Sequence, residues 1–234
     1  MAYQRTPYVE SKRAEARQRL VEAAVGLVEQ GGWREVQMSA VAAAAGLSTG
    51  AVYLHFPSKT QLLIEVYQVQ AGAELRVVSG IVAQPVPATE RLEAAVNAFA
   101  QRAMSNRRLA YAMVLEPTEN EVEEERLRFH AEFIAQFRRI LDDGVAHGEF
   151  VIADTQVAAA CIFGGITESL MNPLGTVARA AAAKSAAARS RDAAELVSGV
   201  MAFCFHGVGK PAPARRQPAR SGPAPARPAR KTKA

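Results

Sequence analysis

The chain has 234 residues, 49% of them hydrophobic and 22% charged, which supplies apolar surface for a sizeable core and excludes wholesale disorder. Its formal charge of +5 is unevenly spread: eight basic residues and no acidic one follow Gly209, so the remainder is net acidic, with a mildly basic stretch over residues 1–60. Two cysteines, Cys161 and Cys204, lie far apart in apolar surroundings, which excludes a disulfide framework or a CxxC metal motif and predicts two buried thiols in a reducing cytoplasm.

Residues 1–10 read as a flexible arm. From Ser11, the residues Ala16, Leu20, Ala23, Leu27 and Val28 recur at helical spacing and predict a first helix stopped by Gly31-Gly32. Met38, Val41, Ala42 and Ala45 predict a short second helix ended by Gly46, and Ser48 is placed to cap a third that runs to about His55. After Pro57, Ser58-Lys59-Thr60-Gln61 has the S-x-x-Q form of a capping box and opens a fourth helix, which continues through Glu65 to Val82. Pro85 and Pro87 mark a turn. Glu90 to Met104 carries Leu92, Val96, Phe99 and Ala103 on one side, and after a break at Ser105-Asn106 the apolar stretch Leu109 to Leu115 ends at Pro117. The acidic run Glu119 to Glu125 leads into a long helix with the stripe Leu127, Phe133, Ile134, Phe137 and Leu141, closed by Gly144 and Gly148.

Thr155 to Met171 and Asp192 to Phe205 are apolar on more than one face, as segments buried both in their own subunit and in a partner would be. Between them, Pro173 to Arg191 reads as a Gly/Ala/Ser/Arg-rich connection. The Pro/Ala/Arg-rich tail, 209–234, cannot bury a core and is predicted to be disordered, its charge suited to sequence-independent attraction to phosphate. No strand-length alternation stands out, so the fold class is all-α. The N-terminus has no apolar leader, and no run approaches the roughly 20 apolar residues of a membrane span, which predicts a soluble cytoplasmic protein.

Function is carried by Val36 to Lys59. A short apolar-faced helix, a tight turn at Gly46 and a second short helix beginning with small polar residues are what a helix-turn-helix requires. The alanines let the two helices cross closely, and Ser48, Thr49 and Gly50 leave room for a duplex. The run A-x-x-A-G-L-S-T-G-A-V-Y-x-H-F-P-S-K, with Tyr53, Phe56 and Lys59 at their spacing from Gly46 and with the Gly31-Gly32-Trp33 turn, resembles the DNA-binding domain of the TetR family of bacterial transcriptional regulators over about Arg13 to Leu63.

The resemblance implies an N-terminal three-helix DNA-binding domain (11–60) and a helical effector-binding and dimerisation domain (61–208). It places Thr49 and Gly50 at the start of the recognition helix and Tyr53 and His55 against phosphates or, for Tyr53, an apolar base surface. Lys59 would meet a phosphate, Phe56 would anchor the core, and Ser48, Ser39 and Gln37 fall on the same DNA-facing side. Gln37 departs from the usual Thr or Ser cap, and Ser39 and Ala40 stand where charged or polar residues are common. Arg5, Lys12, Arg13 and Arg17 are candidates for flanking DNA or for a solvated face.

The implied partners are a near-palindromic operator, a second copy of the chain docked through 155–171 and 192–205, and a small, mainly apolar or amphipathic effector whose binding releases the DNA. Phe99, Met104, Tyr111, Met113, Phe129, Phe133 and Phe137 are candidates for the effector pocket or for plain core, with Asn97, Arg102, His130 and Glu168 as polar contacts. No enzyme, cofactor or metal is expected: His55, His130, His147 and His206 lack metal or catalytic spacing, and no phosphate loop or G-x-S-x-G elbow is present. The competing class is a sequence-independent DNA-compacting protein acting through the basic tail.

Overall fold

The computed structural model describes residues 7–179 and 194–204, and among these every regular element is helical. Pro7 opens α1 (Pro7–Gly31), its missing N–H falling where an amide has no helical partner, so the helix starts inside the stretch expected as a flexible arm. Residues 1–6 of that arm lie outside the described residues. The buried face of α1 is Leu20, Val21, Ala24 and Val28. Ala16, Ala23 and Leu27 are only half-buried, and α1 packs against α2, α4 and α6.

A 3-10 turn (Trp33–Glu35), α2 (Met38–Ala45) and α3 (Thr49–His55) complete the head. The α2–α3 turn pivots on Gly46, whose φ of 65° lies in the left-handed region that a side chain disfavours; Leu47 N–H then closes on the Ala42 carbonyl at 2.9 Å. Ser58 caps α4 (Lys59–Val82) by accepting from Gln61 N–H at 3.2 Å. At 24 residues, α4 is about 36 Å long and runs from the head into the body.

The body is built from α5 (Ala88–Ser105), α6 (Arg107–Val114), α7 (Asn120–Ala146), α8 (Thr155–Arg179) and a last helix over 194–204, α9. It packs mainly through α4 on α7, α7 on α8 and α6 on α8. The acidic run belongs to α7 from Asn120 onward rather than preceding it. Leu127, expected in the stripe of α7, is exposed: the buried stripe is Val122, Arg126, Phe129, Phe133, Phe137, Ile140 and Leu141, and Arg126 holds the position one residue before it. Helix α8 runs through Pro173 to Arg179, into the segment expected as a connection; residues 180–193 and the tail lie outside the described residues. Cys204 is buried as expected, but Cys161 is exposed on α8. Among the described residues no helix is long and apolar enough to cross a membrane.

One long-range cap holds the body's first turn. Helix α5 follows Pro87, which offers no side-chain cap, and the Glu149 carboxylate, 60 residues on, accepts from Ala88 N–H (2.9 Å), Thr89 N–H (3.0 Å) and the Thr89 hydroxyl (2.5 Å). The Thr89 hydroxyl foremost, with these backbone amides, holds the Glu149 carboxyl down to about 2. A carboxylate held low in the native state contributes stability that is complete above its unfolded value of 4.5 and is lost as pH falls through about 2. Glu149→Gln is therefore expected to lower the Tm at neutral pH, with the gap to the parent protein closing as pH falls through that window; a gap independent of pH would contradict the cap.

Candidate DNA-binding face and effector cavity

Helix α3 divides its residues cleanly. Val52 points inward and Phe56, at its C-terminal cap, is fully buried, while Ser48, Thr49, Gly50, Tyr53 and Leu54 are exposed. Ser48 Oγ accepts from Ala51 N–H at 3.2 Å and fixes the helix start. The end is fixed by Arg17 on α1, which donates to the His55 carbonyl at 2.7 Å, lies 4.2 Å over the Phe56 ring and pairs with Glu65 on α4. Arg17, a candidate for flanking DNA, is thus spent inside the head as a positioning residue. Arg19 likewise closes the C-terminus of α2 through the Ala45 carbonyl at 2.5 Å.

The other DNA-side residues occupy mixed environments. Ser39 and Gln37 are exposed, and Gln37 leaves the α2 N-terminus without a side-chain cap because its Nε2 donates to the Arg34 carbonyl at 3.0 Å. His55 is half-buried; burial first, then Arg13 and Arg17, pushes its pKa below the ordinary histidine value, so it faces solvent as a neutral imidazole at neutral pH. Lys59 lies in the first turn of α4, its Nζ 3.9 Å from Glu119, which also accepts from the Thr60 hydroxyl at 2.5 Å.

A second feature lies in the body. A cavity of about 310 Å³ sits among α4, α5, α6, α7 and α8, with Glu29 of α1 at its edge. Phe99, Arg102, Met113, His130 and Phe133, five of the residues expected around an effector, are on its wall. Tyr67, Leu109, Phe163 and Thr167 join them without having been foreseen. Tyr111, Phe129, Phe137 and Glu168 are off the wall. Tyr111 lies beneath the Arg108 guanidinium, and Phe129 packs between Tyr67 and Arg128. Phe137 is fully buried against Phe163, and Glu168 is exposed on α8. Met104 is core, and Asn97 is exposed.

Polarity is graded along the cavity. At the open end Arg102 Nε donates to both oxygens of Glu74 (2.7 and 2.6 Å), and Asn106 donates to Glu29 at 2.6 Å. At the closed end Phe163 meets Phe133 stacked at 5.4 Å and Phe99 and His130 edge-on at 5.8 and 5.2 Å. Burial, with Arg126 adding to it, pushes His130 below its ordinary pKa, and burial raises the Tyr67 hydroxyl to about 12. The closed end is therefore uncharged at neutral pH.

Helix α6 joins the two sites. Leu109, Ala110, Met113 and Val114 line the cavity, while Arg108 and Ala112 bind the head. Trp33 Nε1 donates to the Ala112 carbonyl at 2.9 Å within the core, and Arg108 donates to the Gly31 carbonyl (2.5 Å) and pairs with Glu116 (2.8 Å). Gly32, at φ 89°, lets the chain pass Arg108: a Cβ there would fall 1.5 Å from its Nη2.

A family model described as bacterial regulatory proteins, tetR family, matches residues 20–66, and one described as tetracyclin repressor-like, C-terminal domain, matches residues 85–188. The fatty acid metabolism regulator protein of Bacillus subtilis is 26% identical over 156 residues, 64% of this chain and 79% of that protein. The HTH-type transcriptional repressor KstR of Rhodococcus jostii is 44% identical over 50 residues, 21% of this chain and 24% of its own length. The crystal structure of the transcriptional regulator FadR from Bacillus subtilis in complex with stearoyl-CoA superposes with a TM-score of 0.68 at 21% identity, covering 81% of this chain and 98% of that one.

The Trp33–Ala112 bond gives a direct test of the head–body junction. Trp33→Phe removes a buried N–H donor, but the Ala112 carbonyl keeps Arg126 Nη2 at 3.2 Å as a second donor. In chemical denaturation the substitution is expected to cost about 1 kcal/mol for the hydrogen bond and more for the indole volume lost from the core; unchanged stability would mean that the indole does not hold the junction.

Proposed function

The chain belongs to the tetR family of bacterial regulatory proteins and is a DNA-binding transcriptional regulator, and on that premise we propose that it is a homodimeric repressor released from a near-palindromic operator by a fatty acyl thioester. The observation that carries the reading is α6: an eight-residue helix with cavity wall on one side and the head's anchors on the other. A molecule that fills the cavity against Leu109 and Met113 displaces the same helix that fixes Gly31 and Trp33. The head then moves with it, and a ligand that prefers the displaced arrangement shifts the population away from the DNA-binding one.

On DNA, Thr49, Gly50 and Tyr53 enter the major groove, Ser48, Ser39 and Gln37 flank them, and Lys59 and His55 meet phosphates, the histidine as a neutral hydrogen-bonding group. The dimer forms through α8 and α9. The outward strip of α8 is Val157, Cys161, Gly164 and Glu168, and α9 exposes Gly199 and Phe203; a Cβ built at either glycine meets open space. Small and apolar residues on these two helices suit burial against their own copies, which would account for an exposed Cys161 in the single chain. Two-fold pairing sets the recognition helices about 34–36 Å apart, one duplex turn. Operator binding places the protein in the cytoplasm.

The effector class is supported by the graded cavity, apolar within and polar at its mouth, together with the fatty acid metabolism named for the Bacillus subtilis relative and the stearoyl-CoA bound in the FadR crystal structure. Compaction of DNA through the tail, the competing class, has no counterpart among the relatives named above.

Selection of bound genomic fragments, with the full chain and with one ending at Val208, tests the regulator reading. A near-palindromic site shared by both is expected, together with a loss of more than tenfold in operator affinity for Tyr53→Ala. Lys59→Ala should weaken binding uniformly across sequences and lower the salt slope by about 1. Binding without sequence preference that disappears with the tail would sink the reading.

A further inference from the structure

We propose that the cavity admits an acyl chain of about ten carbons and that Phe163 sets the limit; the inference rests on the acyl-thioester reading above. A methylene takes up about as much room as a water molecule in the liquid, ~30 Å³, so a cavity of about 310 Å³ that includes the polar mouth holds at most on the order of ten of them. The walls give the space its shape. Ala71, Ala103 and Ala110 provide the width of a polymethylene chain, and Leu109 and Met113 supply apolar contact along it.

The far end is closed by rings. Phe163, only 3% exposed, has Phe99, Phe133, Phe137 and His130 within 6.2 Å, ring centre to ring centre, and Phe137 behind it is fully buried. A chain that reaches Phe163 therefore has no further apolar space to enter. The other end is the mouth, where Glu29, Ser105 and Arg102 are exposed and the Arg102–Glu74 and Asn106–Glu29 pairs stand. Carbons beyond the limit must lie among these polar groups and in water, where they bury no apolar surface. The polar end of the ligand belongs there, with the acyl terminus against Phe163.

The limit separates this chain from one built to enclose a stearoyl group, and it is read by titrating the full-length protein calorimetrically with coenzyme A thioesters from hexanoyl to stearoyl. Each methylene buried tightens binding roughly fourfold, so affinity is expected to climb on the order of a hundredfold from hexanoyl to decanoyl and then to level off or fall. Phe163→Leu should move the break to longer chains. Ala110→Leu, which fills the wall without opening the core, should move it to shorter ones and serves if the phenylalanine variant does not fold. Steady tightening through to stearoyl overturns the limit while leaving the acyl-thioester reading intact. A break that neither substitution moves removes the cavity as its cause. Binding of no thioester at any length, in protein that still holds its operator, overturns the limit and the effector reading together.

Discussion

The indole N–H of Trp33 reaches the carbonyl of Ala112 through the interior of the protein, joining residues 79 apart in sequence at 2.9 Å. A buried carbonyl must be paired, and an indole N–H in the core must find an acceptor, so the contact fixes the register of the head on α6 in a way that apolar packing alone does not. Arg108 adds a second tie to the Gly31 carbonyl, and Gly32 gives it room to pass. Two polar bonds on one short helix tie the end of α1 and the turn before α2 to the body.

Arg126 sets the other boundary condition on α6. Its guanidinium, inside the α7 stripe, donates to the carbonyls of Ala112 and Glu116 at 3.2 and 2.8 Å and to the Glu123 carboxylate at 3.0 and 2.8 Å. These bonds tie the C-terminal end of α6 to α7, where carbonyls have no helical partner. The same charge helps to keep His130 unprotonated at the closed end of the cavity. A single buried cation thus ties the end of α6 to α7 and helps to keep the closed end of the cavity uncharged. The cost of burying it is offset in part by its bonds to two carbonyls and the Glu123 carboxylate, although its Nε has no partner among the described residues.

Much of the head was legible in the sequence because its turn chemistry is local. Gly46, Ser48 and Ser58 act within three or four residues of themselves, and each does what its position implies. The cavity was legible only in part. Its residues come from six helices, and periodicity says which face of a helix is apolar without saying whether that face meets a core, a void or a partner. Phe163 was hidden for this reason, since the apolar character of α8 was assigned to a dimer face while its inner side closes the cavity. Leu127 was misassigned because Arg126 occupies the buried stripe in its place, and a charged residue inside an apolar stripe has no signature in hydropathy. The extent of α8 past Pro173 was missed because the composition there favours a connection, whereas the helix is continuous to Arg179.

The charge on the DNA-facing side is smaller than the sequence suggests. Arg17 and Arg19 are committed to the carbonyls of His55 and Ala45, His55 is neutral, and Lys59 lies beside Glu119. Arg17 and Arg19 are therefore not free to release counterions from a duplex, and among the described residues near His55 the exposed Arg13 is the cation better placed to supply the sequence-independent term that usually dominates affinity. The surface offers instead hydroxyls, the bare backbone at Gly50 and the half-exposed Tyr53, groups that act at short range and only when the groove fits. In the dimer proposed above, two such heads one helical turn apart would compensate through effective concentration rather than charge, because binding of the first presents the second to its half-site. That arrangement makes operator binding steeply dependent on the spacing between heads. On the proposed reading, a displacement of α6 that no single head would register as a loss would then be enough to break the pair's hold on the duplex.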